Sequence, residues 1–235
     1  MEGERAVRVA LRSRWPIVSV LLSDTKADKV ADLVTAALAA GADVLVATPR
    51  VLSAVAGFNV HRGLLALAPV PPPRRPLEAV AGARLMLVAE AVNDHENVGA
   101  LFRNAAAFGA GAVLLDPRCA EPLYRRSVRV SLGQVLRLPF ARVQPWPGGL
   151  GQLKAAGVRL VALSPGAGRT LADLQRTDEP TAVMVGSEAD GLSAGALSLA
   201  DEAVRIPMAA EVDSINVATA AAIALHHLGV VGWPA

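Results

Sequence analysis

The chain has 235 residues and a formal net charge of +2, and its composition is 53% hydrophobic but only 3% aromatic. This length allows one large domain or two small ones, and the hydrophobic content excludes a disordered chain. No apolar run reaches the roughly 18–20 residues of a membrane-spanning helix, and the charged N-terminus lacks the apolar core of a signal peptide. The single Cys119 excludes an internal disulfide, and no Cys and His residues have zinc-ligand spacing. We therefore expect a cytoplasmic, metal-free protein.

The basic residues are unevenly distributed along the chain. One span contains a single acidic residue, Glu121, and six arginines, which are Arg118, Arg125, Arg126, Arg129, Arg137 and Arg142. Guanidinium groups bind phosphate well, so this span favours a nucleic-acid surface. A solvated basic face is the alternative explanation.

The first third of the chain predicts a small α/β unit. Strands and helical segments alternate, with helices over 4–13, 24–40 and 49–55 and strands over 17–22, 43–47 and 63–68. Residues 69–76 then contain five prolines in eight positions, which is typical of a stiff linker. We place an RNA substrate-binding domain at 1–69, the linker at 70–83 and a second domain at 84–235.

The second domain predicts a larger α/β unit. Its strands are predicted over 85–89, 111–115, 140–143, 158–163, 182–185 and 203–206, and its helical segments over 97–108, 121–130, 149–156, 171–175 and 214–228. This alternation predicts a mainly parallel sheet with helices on both faces. Such sheets bind ligands at the carboxyl ends of their strands.

One polar residue lies in an unusual place in the last of these helices. The Ala-rich composition of 214–228 predicts a buried helix, with Ser214 as its N-cap. Asn216 would then fall in the first turn, where a buried amide without partners costs about 1–3 kcal/mol. Together with the glycine-bounded acidic loop over 186–191, this indicates a functional site.

The familiar nucleotide and hydrolase signatures are absent from the sequence. There is no G-x-G-x-x-G, no G-x-x-x-x-G-K-[ST], no G-x-S-x-G and no H-E-x-x-H. These absences disfavour a dehydrogenase, a P-loop kinase and a serine hydrolase. A nucleotide-dependent oxidoreductase on a doubly wound sheet would need the glycine-rich phosphate loop that is missing.

Three sequence blocks carry a family resemblance. They are NVGALFRNAAAFG over 97–109, GSEADGL over 186–192, and RIPM over 205–208 continuing to SINVATAAAIAL over 214–225. Together they resemble the SpoU (TrmH-type) branch of the SPOUT RNA methyltransferases, over residues 84–228. The fragment FNVHRGLLA over 58–66 is similar to the end of the ribosomal-protein-like RNA-binding domain that many members carry, and we expect that domain to be trimmed at its start.

The resemblance implies a fold, a cofactor and a reaction. The fold would be a parallel sheet with a C-terminal trefoil knot, which periodicity alone does not reveal. The knot would bind S-adenosyl-L-methionine, the reaction would methylate a ribose 2′-hydroxyl in RNA, and the knotted domain would form a homodimer. The preceding RNA-binding domain favours ribosomal RNA over transfer RNA, and some relatives confer antibiotic resistance by methylating ribosomal RNA.

The resemblance also assigns roles to residues. The implied cofactor-binding residues are Leu163, Gly186, Glu188, Gly191, Ile206, Met208, Ile215 and Val217. The implied catalytic residues are Arg103, Asn97, Glu188, Asn216 and Ser214. The implied RNA-binding residues are Arg126, Arg129 and Arg103. Two positions depart from the family pattern: His95-Glu96 stands where a small residue usually precedes the Asn, and Ile215 replaces the commoner Leu.

Each polar assignment has a structural alternative. Arg103 is described in the family as a base, but a guanidinium group carries only hydrogen-bond donors, so we expect it to bind phosphate and stabilise a developing alkoxide; otherwise it is a solvated helix arginine. Asn97 would order the loop, contact the ribose or cap its helix. Glu188 would bond Asn216 or Arg103, or be an exposed loop acid. Ser214 would contact substrate or only cap its helix.

One alternative function uses the same fold without catalysis. A non-catalytic RNA-binding or ribosome-assembly protein would be expected to lose Arg103, Glu188 or Asn216. All three are present in this chain.

Overall fold

The protein forms two compact units in a computed structural model that describes residues 1–13, 15–175, 177–209 and 211–229. The α-helices are α1 (Glu4–Arg12), α2 (Asp24–Ala27), α3 (Ala31–Ala39), α4 (Pro49–Ala56), α5 (Pro76–Ala79), α6 (His95–Ala107), α7 (Arg125–Val130), α8 (Leu150–Ala155), α9 (Ala194–Leu199) and α10 (Val217–Leu228). The strands are β1 (Ser19–Ser23), β2 (Asp43–Ala47), β3 (Leu64–Leu67), β4 (Leu85–Ala89), β5 (Ala112–Leu115), β6 (Phe140–Arg142), β7 (Arg159–Leu163), β8 (Arg169–Thr170), β9 (Thr181–Val185) and β10 (Glu202–Arg205). Within these described ranges, no helix is long and apolar enough to cross a membrane.

The first unit comprises Met1–Pro72 and Leu123–Arg137. Its sheet has the order β2-β1-β3, with β1 parallel to β2 and antiparallel to β3. The helix predicted over 24–40 is instead α2, a 3₁₀ segment at Asp28–Val30 and α3. The break occurs because Val30 adopts φ −128° while its side chain is buried.

Residues 123–137 group with the first unit although they follow the proline-rich segment in the chain. The guanidinium of Arg125 lies 3.6 Å from the centroid of the Phe58 ring. The indole N–H of Trp15 donates to the carbonyl of Leu136. Gly133, at φ +83°, lies so close to α1 that a Cβ there would be 2.9 Å from Cα of Ala6. Chain order alone did not predict this grouping.

The proline-rich segment is irregular and exposed over 69–75. Helix α5 then begins at Pro76, inside the linker predicted over 70–83. Ala79 and Val80 are buried in the core of the second unit. Proline is well tolerated in the first turn of a helix, so its presence at residue 76 starts α5 and does not prevent it.

The second unit comprises Pro73–Pro122 and Leu138–Ala235. Its seven strands have the order β6-β5-β4-β9-β7-β10-β8, and the paired neighbours all run parallel. The residues of β4, β5 and β9 are buried and almost all apolar, as expected for strands covered on both faces. The predicted parallel α/β sheet is therefore confirmed.

Helices α6 and α10 begin at different residues from those predicted. Helix α6 begins at His95, two residues earlier, because Asp94 caps it. Helix α10 begins at Val217, capped by Asn216, so the prediction that Ser214 is its N-cap is wrong. Helix α10 is also not buried all round, since Ile223 is 40% exposed.

The contact between Gly133 and α1 can be tested with a matched pair of glycines. Gly41 also has a positive φ, +82°, but nothing lies within 4 Å of a Cβ placed there. We expect Gly41→Ala to lower the free energy of unfolding by about 1 kcal/mol from backbone strain, and Gly133→Ala by about 2–4 kcal/mol because overpacking is added. Denaturation followed by circular dichroism measures both, and equal effects would show that α1 does not press on Gly133.

Candidate active site

The site is built at the carboxyl edge of the central strands of the second unit. Strands β4 and β9 pair in register, with Ala89 opposite Val185 at their carboxyl ends. The chain leaves β4 into a short loop that leads to α6. It leaves β9 into the acidic loop, which together with Leu192 spans 186–192. Ligands bind at such an edge in parallel sheets, so both loops are placed to form a site.

Asp94 fixes the start of α6. Its Oδ1 accepts hydrogen bonds from the backbone N–H groups of Glu96 at 2.8 Å and Asn97 at 2.9 Å. Asn97 therefore lies in the first turn of the helix, and the alternative in which it is the N-cap is wrong. Its side chain is half-buried and free of any capping role.

Asn216 fixes the start of α10 in the same way. Its Oδ1 accepts from the backbone N–H groups of Ala218 at 2.9 Å and Thr219 at 3.3 Å. The expectation of a buried first-turn amide is wrong, because Asn216 is the exposed N-cap and lies before the first helical residue. Since the amide oxygen makes the cap, the NH₂ group of the same amide must point away from the helix.

The NH₂ group of Asn216 links this residue to Glu188 and Asn97, which are distant from it in the sequence. The Nδ2 of Asn216 donates to Oε1 of Glu188 at 2.7 Å and to Oδ1 of Asn97 at 2.8 Å. The Nδ2 of Asn97 donates to the same oxygen of Glu188 at 3.2 Å. Of the two partners proposed for Glu188 from the sequence, the structure gives it Asn216. Hydrogen bonds to carboxylates are stronger than hydrogen bonds between neutral groups. This triangle of hydrogen bonds therefore ties the acidic loop to the starts of two helices.

A cavity of about 510 Å³ lies beside this network. All the residues predicted to bind the cofactor line it, namely Leu163, Gly186, Glu188, Gly191, Ile206, Met208, Ile215 and Val217. Ser214, which does not cap α10, also lines it. The size lies within the range of small-molecule sites, about 300–1,000 Å³. The structure thus brings together residues from four separate segments of the chain.

The acidic loop is a tight turn. Ser187 and Gly191 form an isolated antiparallel bridge, and the backbone N–H of Gly191 donates to the carbonyl of Ser187 at 3.0 Å. Any Cβ at Gly186 would overlap the backbone of Gly191 and Leu192. A side chain at residue 186 would therefore force the loop to move.

Arg103 lies on α6, the helix that carries Asn97, and its side chain is exposed. Across the described ranges, it makes no hydrogen bond or ion pair that would occupy its guanidinium group. The structure therefore places Arg103 on the helix of the network but not in the network. Its five donors remain available to an external anion.

Sequence reasoning missed two buried carboxylates at the same edge of the sheet. Glu90, directly after β4, is 1% exposed, and Asp116, directly after β5, is fully buried. Arg118 donates to both, from Nη2 to Glu90 Oε1 at 3.0 Å and from Nε to Asp116 Oδ2 at 2.9 Å. An acidic residue immediately after an apolar strand was the signal that could have identified them.

The neighbouring thiol is buried. Cys119 is buried, and this burial raises the pKa of its thiol to about 12. Its Sγ donates to the carbonyl of Ala89 at 3.3 Å. In the part of the chain that the structure describes, no group of His, Cys, Asp and Glu side chains is arranged to hold a metal ion.

The remaining predicted RNA-binding residues lie in the first unit. Arg126 and Arg129 are exposed on α7. The first unit also contains a cavity of about 650 Å³ that the sequence did not predict, and its basic lining residues are Arg5, Lys26, Lys29 and Arg62. Both features suit a polyanion.

Comparison with known proteins gives two sequence-family matches. The SpoU rRNA Methylase family matches residues 84–226. A second family, described as RNA 2′-O ribose methyltransferase substrate binding, matches residues 1–73. A relative from Mycobacterium tuberculosis (strain ATCC 25618 / H37Rv), named an uncharacterized tRNA/rRNA methyltransferase, is 42% identical over 238 residues, which cover 97% of this chain and 82% of the relative.

Solved structures share the fold. The SpoU methyltransferase AviRb from Streptomyces viridochromogenes is similar with a TM-score of 0.82 and 25% identity, covering 97% of this chain and 87% of its own. The AdoMet-bound rRNA methyltransferase from Sinorhizobium meliloti has a TM-score of 0.82 and 24% identity, and the match covers 97% of this chain and 85% of the methyltransferase chain. These likenesses agree with the sequence-family matches and with the three sequence blocks. The chain belongs to the SpoU rRNA methylase family of RNA methyltransferases.

Proposed function

We propose that this protein transfers a methyl group from S-adenosyl-L-methionine to a ribose 2′-hydroxyl of RNA, with ribosomal RNA as the substrate. The observation that carries the proposal is the Asn97–Glu188–Asn216 network beside the cavity at the carboxyl edge of the sheet. The name of the family that matches residues 1–73 supports 2′-O-ribose chemistry.

The cavity suits the cofactor. Its apolar walls include Leu163, Ile206 and Val217, which can hold an adenine ring between them. At Gly186 the close backbone approach leaves no room for a side chain, so the main chain forms this part of the cavity wall. When bound, S-adenosyl-L-methionine supplies a sulfonium methyl group that an oxygen nucleophile can attack in line.

Glu188 and its two amides position the wall of this cavity. Oε1 of Glu188 accepts from both Asn97 and Asn216, and within the described residues Oε2 has no hydrogen-bond partner. Oε2 can therefore accept a donor from a bound ligand. Because the loop is held at both helix starts, its geometry is set before ligands arrive, which lowers the cost of ordering it on binding.

Arg103 is the group we assign to the RNA. A guanidinium group carries five donors and no acceptor, so we do not assign Arg103 as the base. Its exposed position on α6 suits binding of the phosphate next to the target ribose and stabilisation of the alkoxide that forms as the 2′-hydroxyl loses its proton.

The first unit is the expected RNA-binding part. Arg126 and Arg129 on α7, with the basic cavity of this unit, would contact phosphates. The ribosomal-protein-like character of the domain favours ribosomal over transfer RNA, although relatives are named for both substrates. We expect such an enzyme to work in the cytoplasm.

We further propose that the second unit is knotted and dimeric. The cavity is lined by residues near 163–165, 186–192 and 206–215, which is the arrangement that a trefoil knot around the cofactor would produce. The exposed face of α10, with Thr219, Ile223 and His226, is the surface we assign to the homodimer. The non-catalytic alternative has no supporting observation, since the polar network is intact.

Cofactor binding can be tested by calorimetric titration with S-adenosyl-L-methionine, with NADH and ATP as controls. We expect selective binding, and we expect Gly186→Val to weaken it at least about tenfold because the loop must move. Gly168→Ala is the control, since nothing lies within 4 Å of a Cβ at that position. A folded wild-type protein that binds none of these ligands, with or without RNA, would contradict the cofactor assignment.

The role of Arg103 can be tested by replacing it. We expect Arg103→Ala to reduce methyl transfer by about 10²–10³-fold, as for loss of one transition-state contact, with the affinity for S-adenosyl-L-methionine almost unchanged. Labelled-methyl transfer to ribosomal and transfer RNA, read out as 2′-O-methylnucleosides, measures this effect and identifies the substrate. Equal losses of binding and transfer in a folded variant would place Arg103 in the cofactor cavity instead.

The dimer assignment can be tested by sedimentation. We expect the wild type to be dimeric at micromolar concentration and Ile223→Glu to weaken association by at least about tenfold, because a charge would be buried without a partner. Val55→Glu is the control, since Val55 is 71% exposed in the first unit. A monomeric wild type, or equal effects of both substitutions, would exclude this interface.

A further inference from the structure

Glu90 belongs neither to the Asn97–Glu188–Asn216 network nor to the lining of the cavity, yet its carboxylate is 1% exposed at the carboxyl end of β4. We propose that Glu90 is a positioning residue that closes the base of the loop over 186–192 and so holds the cofactor cavity in shape. The inference rests on the proposed function only in naming S-adenosyl-L-methionine as the ligand of that cavity.

Glu90 holds both ends of the loop. Its backbone N–H donates to the carbonyl of Val185, the last residue of β9, at 2.9 Å. Its side-chain Oε2 accepts from the backbone N–H of Ser193, the residue that follows the loop, at 2.8 Å. The loop between them supplies Gly186, Glu188 and Gly191 to the cavity wall. One residue therefore fixes the separation of the two loop ends.

The other oxygen of the carboxylate holds Glu90 itself in place. Oε1 accepts from Nε1 of Trp146 at 2.7 Å and from Nη2 of Arg118 at 3.0 Å. Arg118 is 63% exposed on its side chain and also pairs with Asp116, so it brings a positive charge to a carboxylate that is otherwise shielded from water. A buried carboxylate needs such a partner.

The need for glutamate at residue 90 follows from the partners of its side chain, which are all hydrogen-bond donors. The three side-chain contacts of Glu90 come from a backbone N–H, an indole N–H and a guanidinium N–H. A carboxylate accepts from all three, whereas a glutamine would turn its NH₂ group toward at least one of them. Two donors face Oε1 and one faces Oε2, so we expect glutamine to keep its oxygen toward Trp146 and Arg118 and to turn its NH₂ toward Ser193. Glu90→Gln would then keep the size of the side chain and lose the closure.

A purely structural role would give a different pattern of effects. If Glu90 only stabilised the fold, its replacement would lower the melting temperature without selectively loosening the loop. If it closes the loop, its replacement weakens cofactor binding and loosens the loop even in the free protein. Ser193 offers a separate way to remove the same bond from the opposite side.

The φ angle of Ser193 is compatible with proline, whose ring would replace the N–H that bonds Glu90 and displace the carboxylate. Ser193 has φ −63°, which is the value that proline adopts, so Ser193→Pro removes the N–H that bonds Glu90. The Ser193 side chain also caps α9, through Oγ and the N–H of Ala196 at 3.2 Å. Ser193→Ala loses the cap but keeps the N–H, so it is the matched control.

The experiment compares the wild type with Glu90→Gln, Ser193→Pro and Ser193→Ala. Titration with S-adenosyl-L-methionine gives the dissociation constant, and hydrogen exchange of the free protein gives the opening of the loop. We expect the dissociation constant to rise about tenfold or more in Glu90→Gln and in Ser193→Pro, since each loses a hydrogen bond to a charged group. The amides of 187–192 should exchange faster in the same two variants, while Ser193→Ala resembles the wild type.

Other results would overturn the inference. Unchanged binding and exchange in Ser193→Pro would show that the bond to Glu90 does not close the loop, even if Glu90→Gln failed to fold. Equal effects of Ser193→Pro and Ser193→Ala would assign the effect to the helix cap. A wild type that does not bind the cofactor would instead contradict the proposed function, and the exchange rates would still decide whether Glu90 closes the loop.

Discussion

The site depends on the hydrogen-bonding demands of one helix end. The first turn of α10 leaves backbone N–H groups without partners, and Oδ1 of Asn216 satisfies two of them. That use of the oxygen fixes which way the amide points, and its amine then meets Glu188 and Asn97. A requirement of helix formation therefore orients a polar group of the site. If the amide were flipped, its NH₂ would face the N–H groups of α10 and its oxygen would face the carboxylate of Glu188, so both sets of hydrogen bonds would be lost.

Much of the fold could be predicted from the sequence because its signals are local. Buried strands such as β4 and β9 are short apolar runs followed by turn residues, and their bounds match the prediction closely. Helix starts were predicted less well. For α10, both Ser214 and Asn216 are good capping residues, and only the packing of Val217 and Ala218 into the second unit decides between them.

The candidate site could be predicted only in part, for a related reason. Residues of the cavity wall were identified through the sequence blocks, and the structure brings them together. Glu90 was missed because its partner Ser193 is distant in the sequence and is brought close only by the strand order. Asp116 pairs with Arg118, two residues further along the chain, so local spacing could have identified that pair. The grouping of 123–137 with the first unit is likewise a matter of long-range contacts, such as the approach of Gly133 to Ala6.

The single cysteine has a consequence for how the protein meets oxidising conditions. Thiol oxidation proceeds through the thiolate, and its rate depends on access to the sulfur. Cys119 is buried, with a thiol pKa of about 12, and it is the only cysteine in the chain. The burial of Cys119 and its raised thiol pKa therefore disfavour its reaction with peroxides while the protein stays folded. Oxidation of this cysteine is expected to require opening of the second unit around it.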